Sequence, residues 1–204
     1  MRLDRWGTQG EERPLSRYPR LADGSAVTLE KVRGVITDIP GVRFPVHPPQ
    51  VTRLDFGPEI ANGVATTLPP TEGEPYPHFV PGVDPDGNEV SGIRLPDVTV
   101  PLATYTGWNL RHQQIGAPDQ LMSLMGSTIP FPGTERERAA KGDPRRSIEE
   151  RYPSKAAYLD QVRRAADGLI EDGYLLPEDV EGILAHSARR WDLLASVPEA
   201  AAAK

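Results

Sequence analysis

Residues 154–173, SKAAYLDQVRRAADGLIEDG, and residues 177–194, PEDVEGILAHSARRWDLL, decide the fold. Ser154 stands where a hydroxyl can accept from the first free N–H groups of a helix. Behind it, Tyr158, Val162, Ala165, Ala166, Leu169 and Ile170 recur at three- and four-residue spacing, which predicts one apolar helix face. Gly173 ends that helix at the C-cap. Pro177 opens a second helix at its first position, with Glu178 and Asp179 favourable against its dipole. The second apolar face is Val180, Ile183, Leu184, Trp191 and Leu194. The short connection makes the two helices antiparallel neighbours. Two helices enclose no core, so this hairpin must lie on the rest of the molecule.

The rest reads very differently. The chain has 204 residues, of which 19 are Gly and 22 are Pro, and only 38% are hydrophobic. Proline removes a backbone donor and glycine opens left-handed turns. The expected class is therefore α+β and loop-rich, with short strands and a β-hairpin followed by the C-terminal helical hairpin. The expected division is an irregular, turn-rich region over 1–145, the helical hairpin over 146–197 and a flexible tail over 198–204, frayed from Ala200 to Lys204. So long an irregular chain buries its backbone polar groups badly unless it packs on something else, which points to a partner surface.

Arg2 to Gln9 reads as the last turns of a helix stopped by Gly10, with Leu3 and Trp6 on one face; with no N-cap, the chain is expected to start mid-helix. Val32 to Phe44 alternates weakly and is broken by Pro40-Gly41, predicting short strands. Phe44 to Pro81 reads as extended chain draped over a surface. The best hairpin spans His78 to Leu95. Phe79, Val80 and Val83 lead into Asp84-Pro85-Asp86-Gly87-Asn88, and Val90, Ile93 and Leu95 follow. Asp84, Asp86 and Asn88 mimic a calcium loop, but Glu89 and Leu95 stand where that loop needs glycine and a closing acid, so a turn is favoured over a metal site. Val98 to Leu102 predicts a further short strand. Pro118 to Met125 predicts a helix with Leu121, Met122, Leu124 and Met125 turned inward. Thr134 is a helix cap.

The net charge of -6 disfavours nucleic acid, which needs a basic stripe. Arg145 and Arg146, and the pairs Arg163-Arg164 and Arg189-Arg190, sit among acids and read as solvated helix faces. The chain has no cysteine, which excludes disulfides and thiolate chemistry. No apolar run reaches membrane-spanning length, and Met1 to Trp6 is no secretory signal, so the chain as written is expected in the cytoplasm.

None of the nine serines stands in Gly-x-Ser-x-Gly, the elbow of α/β-type serine hydrolases. Ser127 follows Gly126 but lacks the second glycine and reads as structural. His47, His78, His112 and His186 show no metal-ligand spacing. Asp97 and Asp119 have no context that would shift a pKa. No catalytic residue, metal or cofactor is expected. The most site-like stretch is Tyr105-Thr106-Gly107-Trp108-Asn109, with Arg111 beyond. It gathers hydroxyls, an indole, an amide and a guanidinium, and a Trp beside polar groups can wall an apolar ligand. The same residues would serve as well to anchor a loop to the core.

Three segments carry a resemblance: Ile93-Arg94-Leu95-Pro96 with Pro101 to Arg111, Gly126 to Phe131, and Gly142-Asp143-Pro144-Arg145-Arg146-Ser147 through Tyr152. Together they resemble the C-terminal third of a bacterial family of much longer α/β-hydrolase-domain proteins. The likeness is firmest over Pro14–Leu21 and Tyr76–Tyr174. It implies serine hydrolases of the esterase type whose nucleophile, acid and histidine lie upstream of Arg2. It also implies that residues 76–152 pack against the hydrolase core domain and cap its pocket. Tyr105, Thr106, Trp108 and Asn109 would then touch a small-molecule substrate. Two other readings stay open. One is a small enzyme using the Trp108 loop with His112 or His78. The other is a partner-binding or self-associating module that docks through an apolar helix face.

Overall fold

The computed structural model describes residues 2–195, with side chains from Trp6 onward; the Leu3 side chain and the tail expected over 198–204 lie outside the described residues. In chain order the elements are α1 (Arg2–Gln9), β1 (Ala26–Val27), α2 (Leu29–Ile36), β2 (Thr52–Asp55), β3 (Thr71–Pro75), β4 (Val80–Pro81), α3 (Pro96–Thr99), β5 (Ala103–Thr106), β6 (Ser127–Pro130), α4 (Glu135–Lys141), α5 (Ile148–Arg151), α6 (Lys155–Glu171) and α7 (Val180–Leu194). The strands form three two-stranded antiparallel ladders, β1–β4, β2–β3 and β5–β6. Helices and short strands mix as an α+β chain.

The helical hairpin forms from its local signals. The Ser154 hydroxyl accepts from the Ala157 N–H at 3.1 Å. Gly173 takes φ +81°, so the chain can turn back and the Tyr174 N–H reaches the Leu169 carbonyl at 2.8 Å. Lys155 at the start of α6 pairs with Asp192 near the end of α7 at 2.6 Å, and Arg163 pairs with Glu181 at 2.9 Å, so the helices run antiparallel. Their inner faces lie on the preceding chain. Tyr158 and Val162 join Val100, Leu102, Phe131, Ile148 and Tyr152 in one core, backed by Leu184, Trp191 and Leu194. Tyr152, Tyr158 and Trp191 meet with ring centroids 5.1–6.1 Å apart. A second core gathers Val27, Val32, Ile36 and Ile39, with Phe44, Val80, Val83, Trp108 and Ile129 against it.

A buried polar seam ties the β5–β6 ladder between these cores. Arg145 is 2% exposed. Its guanidinium pairs with Asp143 at 2.6 Å and donates to the Thr104 hydroxyl at 2.8 Å and to the carbonyls of Ile129 and Pro130. The expectation of a solvated Arg145 is therefore wrong: Asp143, two residues away, and three further acceptors replace water. Arg190 departs from it as well, being mostly buried and bonded to Asp97 at 2.9 Å. Asn88, fully buried, accepts from the Tyr105 N–H and donates to the Ala103 carbonyl, extending the β5 hydrogen bonds with a side chain.

Four local expectations are corrected. Residues 29–36 form a helix where strands were expected in the Val32 to Phe44 region; Val32 and Ile36, four apart, bury one helical face. Pro96–Thr99 is a helical turn and the strand begins only at Ala103, because Pro96 at the first helical position followed by Asp97 is a helix start. Pro118 to Met125 is no helix. Ala117 and Leu124 hold φ +49° and +58°, and the Arg111 and Met122 N–H groups bond to Gln120 and Asn109 across the loop in place of a helical ladder. Leu124 is fully exposed. The turn at Asp84–Asn88 forms, but its arms pair only briefly: Val83 and Glu89 make an isolated bridge flanked by the bonds from the Asp84 N–H to the Asn88 carbonyl and from the Val90 N–H to the Gly82 carbonyl, and β4 pairs with β1. Asp84 Oδ1 takes the N–H groups of Asp86 and Asn88, bonds that cannot go to a ladder, and Val90, Ile93 and Leu95 stay exposed.

The accessible surface is 13672 Å² for a 22.3 kDa chain. A compact chain of that mass exposes about 9,400 Å². Leu15, Leu21, Val51, Leu68 and Leu193 are each more than 60% exposed.

Candidate functional site

β5 and the turn after it place the four candidate residues. On a strand, alternate side chains face opposite ways. Thr104 and Thr106 therefore share one side, and Tyr105 takes the other. The Tyr105 hydroxyl accepts from Arg190 Nη2 at 2.6 Å, and burial, opposed by the Arg190 charge, pushes its pKa up. The Thr106 hydroxyl donates to the Trp108 carbonyl at 2.6 Å, and the Ser127 hydroxyl donates to the same oxygen at 3.0 Å. Ser127 thus closes a turn. Gly126 allows this closeness, since a Cβ there would meet the Thr106 carbonyl oxygen at 2.4 Å. The Trp108 indole N–H donates to the Arg43 carbonyl at 3.1 Å, and the ring stands edge-on to Phe44 with centroids 5.5 Å apart.

These residues border a cleft of about 270 Å³. Phe44, Trp108, Val83 and Leu121 give it apolar walls, Pro45, Pro48 and Pro49 line its flank, and His78 and Glu89 bring one imidazole and one carboxylate to it. Tyr105, Thr106 and Trp108 meet there. Asn109 does not; it borders a smaller cavity of about 90 Å³ with Arg43, Leu110 and Ser127. Arg111 spends its guanidinium on the carbonyls of Ile115 and Gly116, both at 3.0 Å. His112 Nδ1 accepts from the Gln114 N–H, capping a 3-10 turn, so it is a loop residue. His78 reaches the cleft by chain geometry, which its proline-rich setting gave no means of foreseeing.

Asp84 and Asp86, the calcium-like pair, are each bound to an arginine: Asp84 to Arg94 at 3.1 Å, Asp86 to Arg151. Asp97 is shared between Arg190 and, at 3.9 Å, His186. The buried hydrogen-bonding roles of Asn88, Thr104, Asp143 and Arg145 were not expected from the sequence. For Asp143 and Arg145 the available signal was Asp143-Pro144-Arg145, an acid and a base close enough in sequence to pair in a turn.

Residues 1–185 match the alpha/beta hydrolase domain family. The chain belongs to that family. No curated protein and no solved structure matches it. Among the described residues no helix is long and apolar enough to cross a membrane.

Proposed function

We propose that this chain is the C-terminal, pocket-covering portion of an esterase-type serine hydrolase. In this reading it lies on or caps a substrate pocket whose nucleophile sits on another part of the enzyme, the hydrolase core domain. The reading is carried by the Trp108 cleft: an apolar recess with one histidine and one acid on its walls, suited to the acyl or alcohol part of an ester. The apolar side chains left in solvent support it, because such area is normally covered by a partner. Tyr105, Thr106 and Trp108 border the substrate. Asn109 holds the turn behind Trp108 through its backbone, its carbonyl accepting from the Met122 N–H. A cytoplasmic enzyme acting on small esters fits this reading.

The purified chain is assayed against short-chain p-nitrophenyl esters and a serine-reactive probe. Neither turnover nor labelling is expected. Robust labelling of any serine would overturn the proposal. In the chain joined to a hydrolase body encoded in frame with it, Trp108→Ala should lower kcat/KM about 10- to 100-fold, a loss of about 1.4–2.7 kcal/mol of transition-state binding. Unchanged kinetics in that variant would place the substrate elsewhere.

A further inference from the structure

A second cleft, of about 520 Å³, lies where Ser16 to Ser25 and the turn at Val90 to Arg94 face α6. Three guanidinium groups, Arg17, Arg20 and Arg94, line it against two carboxylates, Asp23 and Asp172. Both acids are engaged. Asp172 Oδ2 pairs with Arg17 at 2.7 Å. Asp23 Oδ1 accepts from the Ser25 hydroxyl and, at 2.9 Å, from the Ser25 N–H. Those two bonds, ahead of the Arg20 charge, hold the Asp23 carboxyl below the ordinary range.

Arg17 is taken by Asp172 and Arg94 by Asp84, which leaves Arg20. Arg20 stacks its guanidinium on the Tyr18 ring at 4.5 Å and makes no ion pair among the described residues. Arg94 gives Nη2 to Asp84 and to the Val98 carbonyl, while its Nε is buried without an acceptor. That nitrogen is sealed from water and therefore from the cleft, so Arg94 adds its charge at the edge of the space and not a free N–H. Ser16 and Ser91 border the same space.

We propose that this cleft binds a small oxyanion, a phosphate or carboxylate group, held chiefly by Arg20 with Arg94 and Arg17 beside it. The planar fork of arginine donates two parallel N–H groups to such an anion, and stacking on Tyr18 holds the Arg20 fork in place. The bound anion would join the Ser16–Ser25 segment to α6 across the cleft. The site is separate from the Trp108 cleft and stands whether or not the hydrolase reading does.

The test is calorimetric titration of the purified chain, at low salt, with inorganic phosphate and separately with succinate. Saturable one-site binding with a Kd of about 1 mM is expected for at least one of them. Phosphate alone binding identifies a phosphoryl group, and succinate binding as well or instead identifies a carboxylate. Arg20→Gln should weaken the binding at least about tenfold, a change of about 1.4 kcal/mol. Arg163→Gln, on the pair with Glu181, should leave it unchanged. No saturation by either anion up to about 10 mM, or full affinity in Arg20→Gln, overturns the proposal. If Arg20→Gln loses its near-ultraviolet circular dichroism, Arg20→Lys takes its place. It keeps the charge and loses the fork, so affinity equal to the parent's would overturn the assignment of Arg20.

Discussion

Two adjacent arginines in one short run, Arg145 and Arg146, have opposite fates. Arg145 is sealed with Asp143, both 2% exposed, and fills three further acceptors. Arg146 stays at the surface and reaches the Glu150 carbonyl. Removing one member of a buried pair leaves the other charge without compensation and costs about 3–5 kcal/mol, whereas a surface contact contributes at most about 1 kcal/mol. Urea denaturation should therefore show Arg145→Ala destabilised by several kcal/mol and Arg146→Ala nearly unchanged. Gly87 is constrained in another way. It holds φ +78°, and a Cβ there would lie 2.8 Å from both Ile36 and Ile39 and 2.9 Å from Thr104. Gly87→Ala combines a strained backbone with overpacking and should lower the melting temperature by several degrees, a cost of about 1–3 kcal/mol.

The buried tyrosines set the alkaline limit, again through single side chains. Burial first, aided by the Asp97 charge, pushes the Tyr158 pKa up to about 12, and Tyr152 moves further in the same direction for the same first reason. A phenol that ionises less readily when folded than when unfolded favours the folded state fully below the unfolded value. That stability is lost as pH rises from about 10 through the folded value. Ultraviolet titration should show part of the tyrosine absorbance change delayed to about pH 12, with unfolding following close behind.

Among elements, stability is uneven. α6 buries Tyr158, Val162, Ala166 and Leu169 and starts at a capped serine. α5 opens with a capping box in which Ser147 accepts from the Glu150 N–H and Glu150 accepts from the Ser147 N–H. Ser147→Ala and Ser154→Ala should each cost about 1 kcal/mol, read from shifts in the urea midpoint. The β2–β3 ribbon is the opposite case, because all five residues of β3 and all but Thr52 of β2 are exposed. Two strands with both faces in water are marginal. Amide hydrogen exchange should therefore release β2 and β3 early and α6 last. The legibility of the elements follows the same division. The helical hairpin announced itself through two long apolar stripes and their stop signals. α2 has only eight residues, and Val32 and Ile36 fit a weak alternation as easily as a helix face.

For the whole molecule, the accessible surface exceeds that of a compact chain of its mass by nearly half. A hydrophobic dye should bind the purified chain strongly, and size-exclusion chromatography should show association that grows with concentration. A monodisperse, dye-silent chain would count against a covered surface. Of the candidate site, the Tyr105–Trp108 stretch was legible because it packs diverse polar groups and an indole into a few residues. The meeting of Trp108 with Phe44, His78 and the prolines at 45, 48 and 49 was not, since those residues stand far apart along the chain.

By itself the sequence determined the antiparallel helical hairpin, the turn at Asp84–Asn88 and the helix caps at Thr134 and Ser154, because each depends on residues a few positions apart. Only the tertiary structure decided that Arg145 is buried, that Asn88 bonds along β5 and that one cleft collects His78 with Trp108. Those outcomes depend on which distant groups are brought together to replace water, and no local pattern in the chain records that.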